Sequence, residues 1–270
     1  IGSVRKIMAE QNLIFFDVDG TLLDASGQLP ASAKRAILRA QKKGSLCFVN
    51  TGRPYSHLVP AVRAIPFDGY ICSCGQYILI HNQPLVHAGF THKEAQKIAS
   101  LVRLCNMDVI YEGEDGVWYD HLRPRRPEIL RSMEHFTALG FDVHRSIDAD
   151  DFHFDKFCVW VQPDSNKELL LASIRFICTV IEREGNLLEL VRIGYSKETG
   201  IQAVIDYLGV PIDRTYALGD STNDLPMLRC TAHSIAMGNA PSAVKQTAEY
   251  VTQAAENDGV AAALAHYGLI

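Results

Sequence analysis

Leu13–Asp24 reads LIFFDVDGTLLD, and the fold follows from where this stretch sits. A short apolar run of strand formers ends in an acidic turn containing glycine, so a strand delivers Asp17 and Asp19 to a loop. Ala31 to Lys43 then places Ala36, Ile37, Ala40 and Gln41 at helical spacing and stops at Gly44. A second strand, Leu46 to Asn50, ends in the turn TGRP. Tyr55 to Ile65 is expected as a helix and Tyr70 to Ser73 as a third strand. This βαβαβ alternation predicts a parallel sheet.

The alternation returns late in the chain, with a helix over 197–208, a strand over 215–218, a helix over 223–229 and a strand over 233–237. Between the two halves the pattern changes to mixed strands, such as 117–119 and 157–161, with amphipathic helices over 92–105 and 167–182. The expected architecture is an α/β core built on a doubly wound parallel sheet, formed by 8–83 and 190–270, with an inserted α+β domain over 84–189. Residues 1–7 are assigned no function.

The chain has 270 residues, 47% hydrophobic and 21% charged, which is the composition of a folded globular protein. Its net charge of -5 argues against a general nucleic-acid or membrane-surface binder, which needs a basic excess. No apolar run approaches the length of a membrane span. Seven scattered cysteines without metal-type pairing are expected as reduced, mostly buried thiols, and with them a cytoplasmic address. The ten histidines form no HExxH, and no GxxxxGK[ST] loop is present, so zinc catalysis and P-loop nucleotide hydrolysis have no support.

Open parallel sheets bind ligands at the carboxyl ends of their strands, where this reading places Asp17, Asn50 to Gly52, and Gly219 to Asp220. Asp17 and Asp19 lie two apart on one turn, so one carboxylate points up from the strand end and the other reaches the same space from the side. Asp220 and Asp224 add two further carboxylates. Such clustering is unfavourable without a cation, and hard oxygen donors in that number suit Mg2+.

The order of these elements carries more than any one of them. DVDGTLLD follows a strand, TGR a second strand, SKETG opens a helix at Lys197, and GDSTNDLPML follows another strand. The set resembles the haloacid dehalogenase (HAD) superfamily of phosphohydrolases. The insertion between TGR and SKETG, with the ending MGNAP, VK, AEYVT and NDGV, is similar to its Cof-type, or IIB, sugar phosphatases, which carry a C2B-type cap. The resemblance implies a phosphatase acting on small phosphate monoesters, with Asp17 as nucleophile and Asp19 as general acid and base. Thr51 and the Gly52 N–H would hold the phosphoryl oxygens and Lys197 would neutralise them. Mg2+ would be held by Asp17, Asp220 and the Asp19 carbonyl. Asp224 would be a ligand or a supporting acid, and Asn223 would hold phosphate or Lys197. Arg53 is read as either a brace for its turn or a substrate contact, and the arginines at 123, 125 and 126 as solvated surface. A phosphomutase using the same aspartyl-phosphate and a phospho-metabolite sensor without turnover are the competing readings. The cap offers no motif that names a sugar, and no segment implies a protein partner.

Overall fold

The computed structural model describes residues 10–123, 126–183 and 185–270. Residues 1–7 and Arg125 of the arginine stretch lie outside them. The elements are β1 (Leu13–Phe16), α1 (Ala31–Lys42), β2 (Leu46–Asn50), α2 (Pro60–Arg63), β3 (Gly69–Cys72), β4 (Tyr77–Ile80) and β5 (Gln83–His87). The insertion contributes α3 (His92–Leu104), β6 (Asp108–Gly113), β7 (Gly116–Trp118), α4 (Pro127–Ala138), β8 (Lys156–Trp160), α5 (Lys167–Ile174), β9 (Cys178–Glu182) and β10 (Leu187–Arg192). The chain closes with α6 (Lys197–Leu208), β11 (Thr215–Gly219), α7 (Leu225–Cys230), β12 (His233–Ala236), α8 (Ser242–Thr247), β13 (Tyr250–Val251) and α9 (Gly259–His266).

The first sheet has the order β13-β12-β11-β1-β2-β3-β4-β5, parallel from β13 through β3 and antiparallel between β3 and β4. From β1 the chain builds outward through β2 and β3, and later builds the opposite way through β11, β12 and β13. The switch therefore falls at β1 and β11, whose carboxyl ends carry Asp17 and Asp220. All four residues of β1 are buried, because helices cover both faces of the sheet. On one face Leu13, Phe15 and Phe48 pack with Ile201, Val204 and Leu208 of α6. Elsewhere in the core α9 packs against α1.

The second sheet is antiparallel, with the order β7-β6-β8-β10-β9. Its strands alternate. Val109, Tyr111, Phe157, Val159, Leu188 and Leu190 turn to the face packed with Ile98, Val102 and Leu170 of α3 and α5. On the other face Ile110 and Val117 pack with Ile129 and Met133 of α4.

The chain divides into two compact units. One runs through Gly52 and resumes over Leu58–Val86 and Ser196–Ile270; the other holds His87–Tyr195 together with Arg53–His57. Among the described residues no helix is long and apolar enough to cross a membrane. Cys47, Cys72, Cys74, Cys105 and Cys178 are buried.

Two expected helices are corrected. Over 55–65 the chain forms a 3-10 turn, Tyr55–His57, and then the short α2, because Pro60 forces Val59 into an extended conformation (φ -62°, ψ 147°) that interrupts the run. The helix expected over 167–182 stops at Ile174. Cys178–Glu182, with Thr179, Val180 and Ile181 β-branched, instead pairs with β10 as a sheet edge.

Candidate active site

Asp17 is the first residue beyond β1, and its N–H donates to the Leu218 carbonyl at 3.0 Å, which ties it to the end of β11. The turn that follows depends on Gly20, whose φ is +79° and where a Cβ would stand 2.2 Å from Asp220 Oδ2. That close approach lets the Asp17 turn and Asp220 share one space. Asp19 stands exposed two residues beyond Asp17.

Lys197 enters from the amino end of α6, where Ser196 and Thr199 form a reciprocal capping box. The lysine is 3% exposed, and its Nζ donates to Asp17 Oδ1 at 2.5 Å and to Asp224 Oδ1. Burial alone would lower its pKa, but the two carboxylates override this and hold the ammonium firmly charged. Asp224 is completely buried. Its other oxygen accepts from the Asp220 N–H (3.0 Å), the Ser221 N–H (2.9 Å) and the Ser221 hydroxyl (3.2 Å). Asp220 is held more loosely, with Thr21 Oγ1 and Asn239 Nδ2 each donating at 3.4 Å.

One carboxylate oxygen from each of Asp17, Asp220 and Asp224 lies within 4.8 Å of the other two. Burial, then the Asp224 charge, push the Asp17 carboxyl up to about 8 and that of Asp220 up to about 6. A site that raises its own acids in this way is short of positive charge, and its all-oxygen donor set suits a hard divalent cation.

The remaining expected residues lie on neighbouring turns. Thr51 is buried at the end of β2, where its N–H donates to the Ile71 carbonyl at 2.8 Å, and Gly52 follows it half-buried. Asn223 is half-buried and its Oδ1 accepts from the Ser221 hydroxyl. Arg53 donates to the His57 carbonyl at 3.0 Å, closing its own turn. Arg123 donates to the Arg103 carbonyl and to Asn106, while Arg126 makes an exposed ion pair with Asp164 at 3.0 Å, as a surface arginine does.

Three contributors carry little sequence signal. Asn50 is buried and donates to the Lys197 carbonyl at 3.0 Å, holding the start of α6; its one clue is an amide closing an apolar strand. Asn239, in MGNAP, donates to the Gly20 carbonyl at 2.9 Å. Ser73, Cys74 and Gly75 all have positive φ, and Cys74 N–H donates to the Thr51 carbonyl at 3.2 Å. Nothing in the local sequence announces two consecutive non-glycine residues in that conformation.

The family of haloacid dehalogenase-like hydrolases matches residues 14–264. The chain belongs to this family. Among similar proteins, the putative phosphatase YkrA of Bacillus subtilis is 27% identical, covering 97% of this chain and 99% of YkrA. The 5-amino-6-(5-phospho-D-ribitylamino)uracil phosphatase YcsE of the same organism is 28% identical over 99% of this chain and all of YcsE. The HAD subclass IIB sugar phosphatase BT4131 superposes with a TM-score of 0.78 at 26% identity, covering 96% of this chain and 100% of that one. The HAD core with its cap and the Cof-type likeness are thus borne out, and this HAD protein is a phosphoric monoester hydrolase. The family implies a divalent metal, which the donor set above fits.

Proposed function

We propose that this enzyme hydrolyses small phosphate monoesters, sugar phosphates foremost, through an aspartyl-phosphate on Asp17. The observation that carries the reading is the buried Lys197 ammonium held against Asp17 at the end of β1. A nucleophile needs a fixed position, and the phosphoryl group it receives needs neutralising charge. Lys197 serves both.

An Asp17 oxygen attacks phosphorus as the bond to the alcohol oxygen breaks, and Asp19 donates the proton that the leaving alkoxide takes up. Asp19 then removes a proton from water, which attacks the aspartyl-phosphate and releases inorganic phosphate and Asp17. The exposure of Asp19 supports this role, since it must meet both solvent and substrate. Thr51 and the Gly52 N–H orient the phosphoryl oxygens. Mg2+, held by Asp17, Asp220 and the Asp19 carbonyl, would supply further charge neutralisation. Asp224 has both oxygens engaged by Lys197 and by the turn after Asp220, which favours a positioning role over direct ligation. We assign choice of the leaving group to the cap. Sugar phosphates are favoured by the likeness to BT4131, and a ribityl phosphate by that to YcsE.

Phosphate release from sugar phosphates, a ribityl phosphate, nucleotides and an aryl phosphate, with wild type and Asp17→Asn in parallel, tests the reading. Release by wild type alone is expected. Hydrolysis retained by Asp17→Asn would remove the nucleophile assignment, and movement of phosphate between sugar positions without release would replace hydrolase by mutase.

A further inference from the structure

Thr51 and Lys197 are far apart in the chain, yet one buried joint within the core unit connects them. Asn50 is the last residue of β2, fully buried, and directly precedes Thr51. Its Nδ2 donates to the Lys197 carbonyl at 3.0 Å and to Met227 Sδ at 3.6 Å, while among the described residues its Oδ1 meets no donor. The turn Ser73–Gly75 closes the joint from the other side. Its Cys74 N–H donates to the Thr51 carbonyl at 3.2 Å, and the turn packs on the first turn of α6. The fit there is tight, since a Cβ on Gly200 would fall 2.4 Å from Ile71 Cγ2 of β3. Ser73 and Cys74 hold φ of 50° and 54°, which non-glycine residues keep only where the surrounding packing imposes it. For stability alone Asn50 is a poor choice. Its buried amide oxygen has given up water without gaining a donor, a loss that an apolar side chain at this strand end would not incur. What the amide supplies, and an apolar residue cannot, is a donor aimed at the backbone of Lys197.

We propose that Asn50 is a positioning residue for Lys197. Its amide fixes the first turn of α6 against the end of β2, so that the Lys197 ammonium and Thr51 keep one spacing around the phosphoryl group. This rests on the reading of Thr51 and Lys197 given above. The ammonium reaches Asp17 and Asp224 from this anchored backbone. Loosening the anchor shifts the ammonium while α6 itself persists, because its Ser196–Thr199 capping box and its packing through Ile201, Val204 and Leu208 do not involve Asn50.

The test compares full-length wild type, Asn50→Val and Lys197→Met. The readouts are kcat on an aryl phosphate, inhibition by inorganic phosphate, the urea unfolding midpoint, and the proton–nitrogen NMR signal of the Lys197 ammonium, identified by its loss in Lys197→Met. Asn50→Val removes the donor and the unpaired oxygen together, and valine suits a buried strand. It is expected to lower kcat about 10- to 100-fold, the usual scale for a displaced catalytic group. It should also weaken phosphate inhibition and broaden the ammonium signal, while the unfolding midpoint stays at or above that of wild type. If Asn50→Val does not fold, the smaller Asn50→Ala makes the same comparison of kcat and ammonium signal. A lower midpoint with kcat and the ammonium signal unchanged would make Asn50 a purely structural residue. A fall in kcat with the ammonium signal unchanged would place the effect on the Thr51 turn. Either result overturns the proposal. If Lys197→Met keeps kcat and phosphate inhibition, the reading of Lys197 has failed and the proposal falls with it; if Lys197→Met loses them and Asn50→Val does not, the Asn50 inference alone has failed.

Discussion

Asp224→Asn separates a residue that positions Lys197 from one that binds metal. The carboxylate accepts from Lys197 on one oxygen and from the Asp220 and Ser221 N–H groups and the Ser221 hydroxyl on the other. An asparagine has one acceptor and one donor group. Whichever way the amide turns, its NH2 faces either the ammonium or the two backbone N–H groups. One charge-assisted bond is lost, at about 1.5–3 kcal/mol, and a buried donor is orphaned at about 1–3 kcal/mol. Opposing this is relief of repulsion on Asp17 and Asp220. The Asp224 charge is the second cause, after burial, that pushes both of those carboxyls up, so its removal returns part of the loss. The net expectation is a loss of about 2–4 kcal/mol in urea unfolding with chelator present. With one of its two anchors gone, Lys197 is misplaced and kcat should fall on the order of 100-fold. The Mg2+ concentration giving half-maximal rate should stay near that of wild type. A stability loss below about 1 kcal/mol would refute the hydrogen-bond argument. Recovery of kcat at high Mg2+ would make Asp224 a metal ligand.

Other consequences are open to direct measurement. Burial alone would raise the Glu112 carboxyl, but Lys156 and then His57 override it and hold it at about 2, below the usual 4.5. A carboxyl lowered by folding contributes stability that is complete above its unfolded pKa and lost as pH falls toward the folded one. The stability advantage of wild type over Glu112→Gln should therefore shrink by up to about 3 kcal/mol between about pH 6 and pH 2, and an advantage independent of pH would contradict the buried pairing. Gly75→Ala places a Cβ 2.4 Å from the Ser196 carbonyl at a φ of +90°. Strain of about 1–3 kcal/mol, with a lower kcat as the start of α6 shifts, is expected, and a silent substitution would show that the loop yields freely. Chelation should abolish hydrolysis and Mg2+ should restore it; activity that survives chelation would remove the metal from the reading.

The order of strands, turns and helices was legible in the sequence wherever a local signal coincides with an element. LIFFD, LCFVN and the run over 215–218 are short, apolar and closed by polar turns, so strand and site residue are read together. The acidic turns DVDGT and GDSTND with the SKETG lysine were legible for the same reason, since each sits where a strand or helix ends. The two helices drawn too long failed where local rules compete. Pro60 interrupts one, and in the other the helical spacing of Lys167–Ile174 gives way to β-branched residues that need β10 beside them before they read as a strand.

The convergence of Asp17, Lys197 and Asp220 was legible through the strand ends and the family resemblance, but the individual pairings were not. Asp224 looks like any acid four residues after another until the structure shows both of its oxygens engaged, one of them by a lysine 27 positions away. Asn50 reaches the Lys197 carbonyl across 147 positions, and Arg53–His57 leaves the core because Glu112 and Gly113, more than fifty residues later, hold it. Local sequence determines what each short segment prefers, because backbone propensity and side-chain periodicity act within a few residues. Which buried polar groups satisfy one another is set by packing, since that pairing exists only once the chain has removed both partners from water.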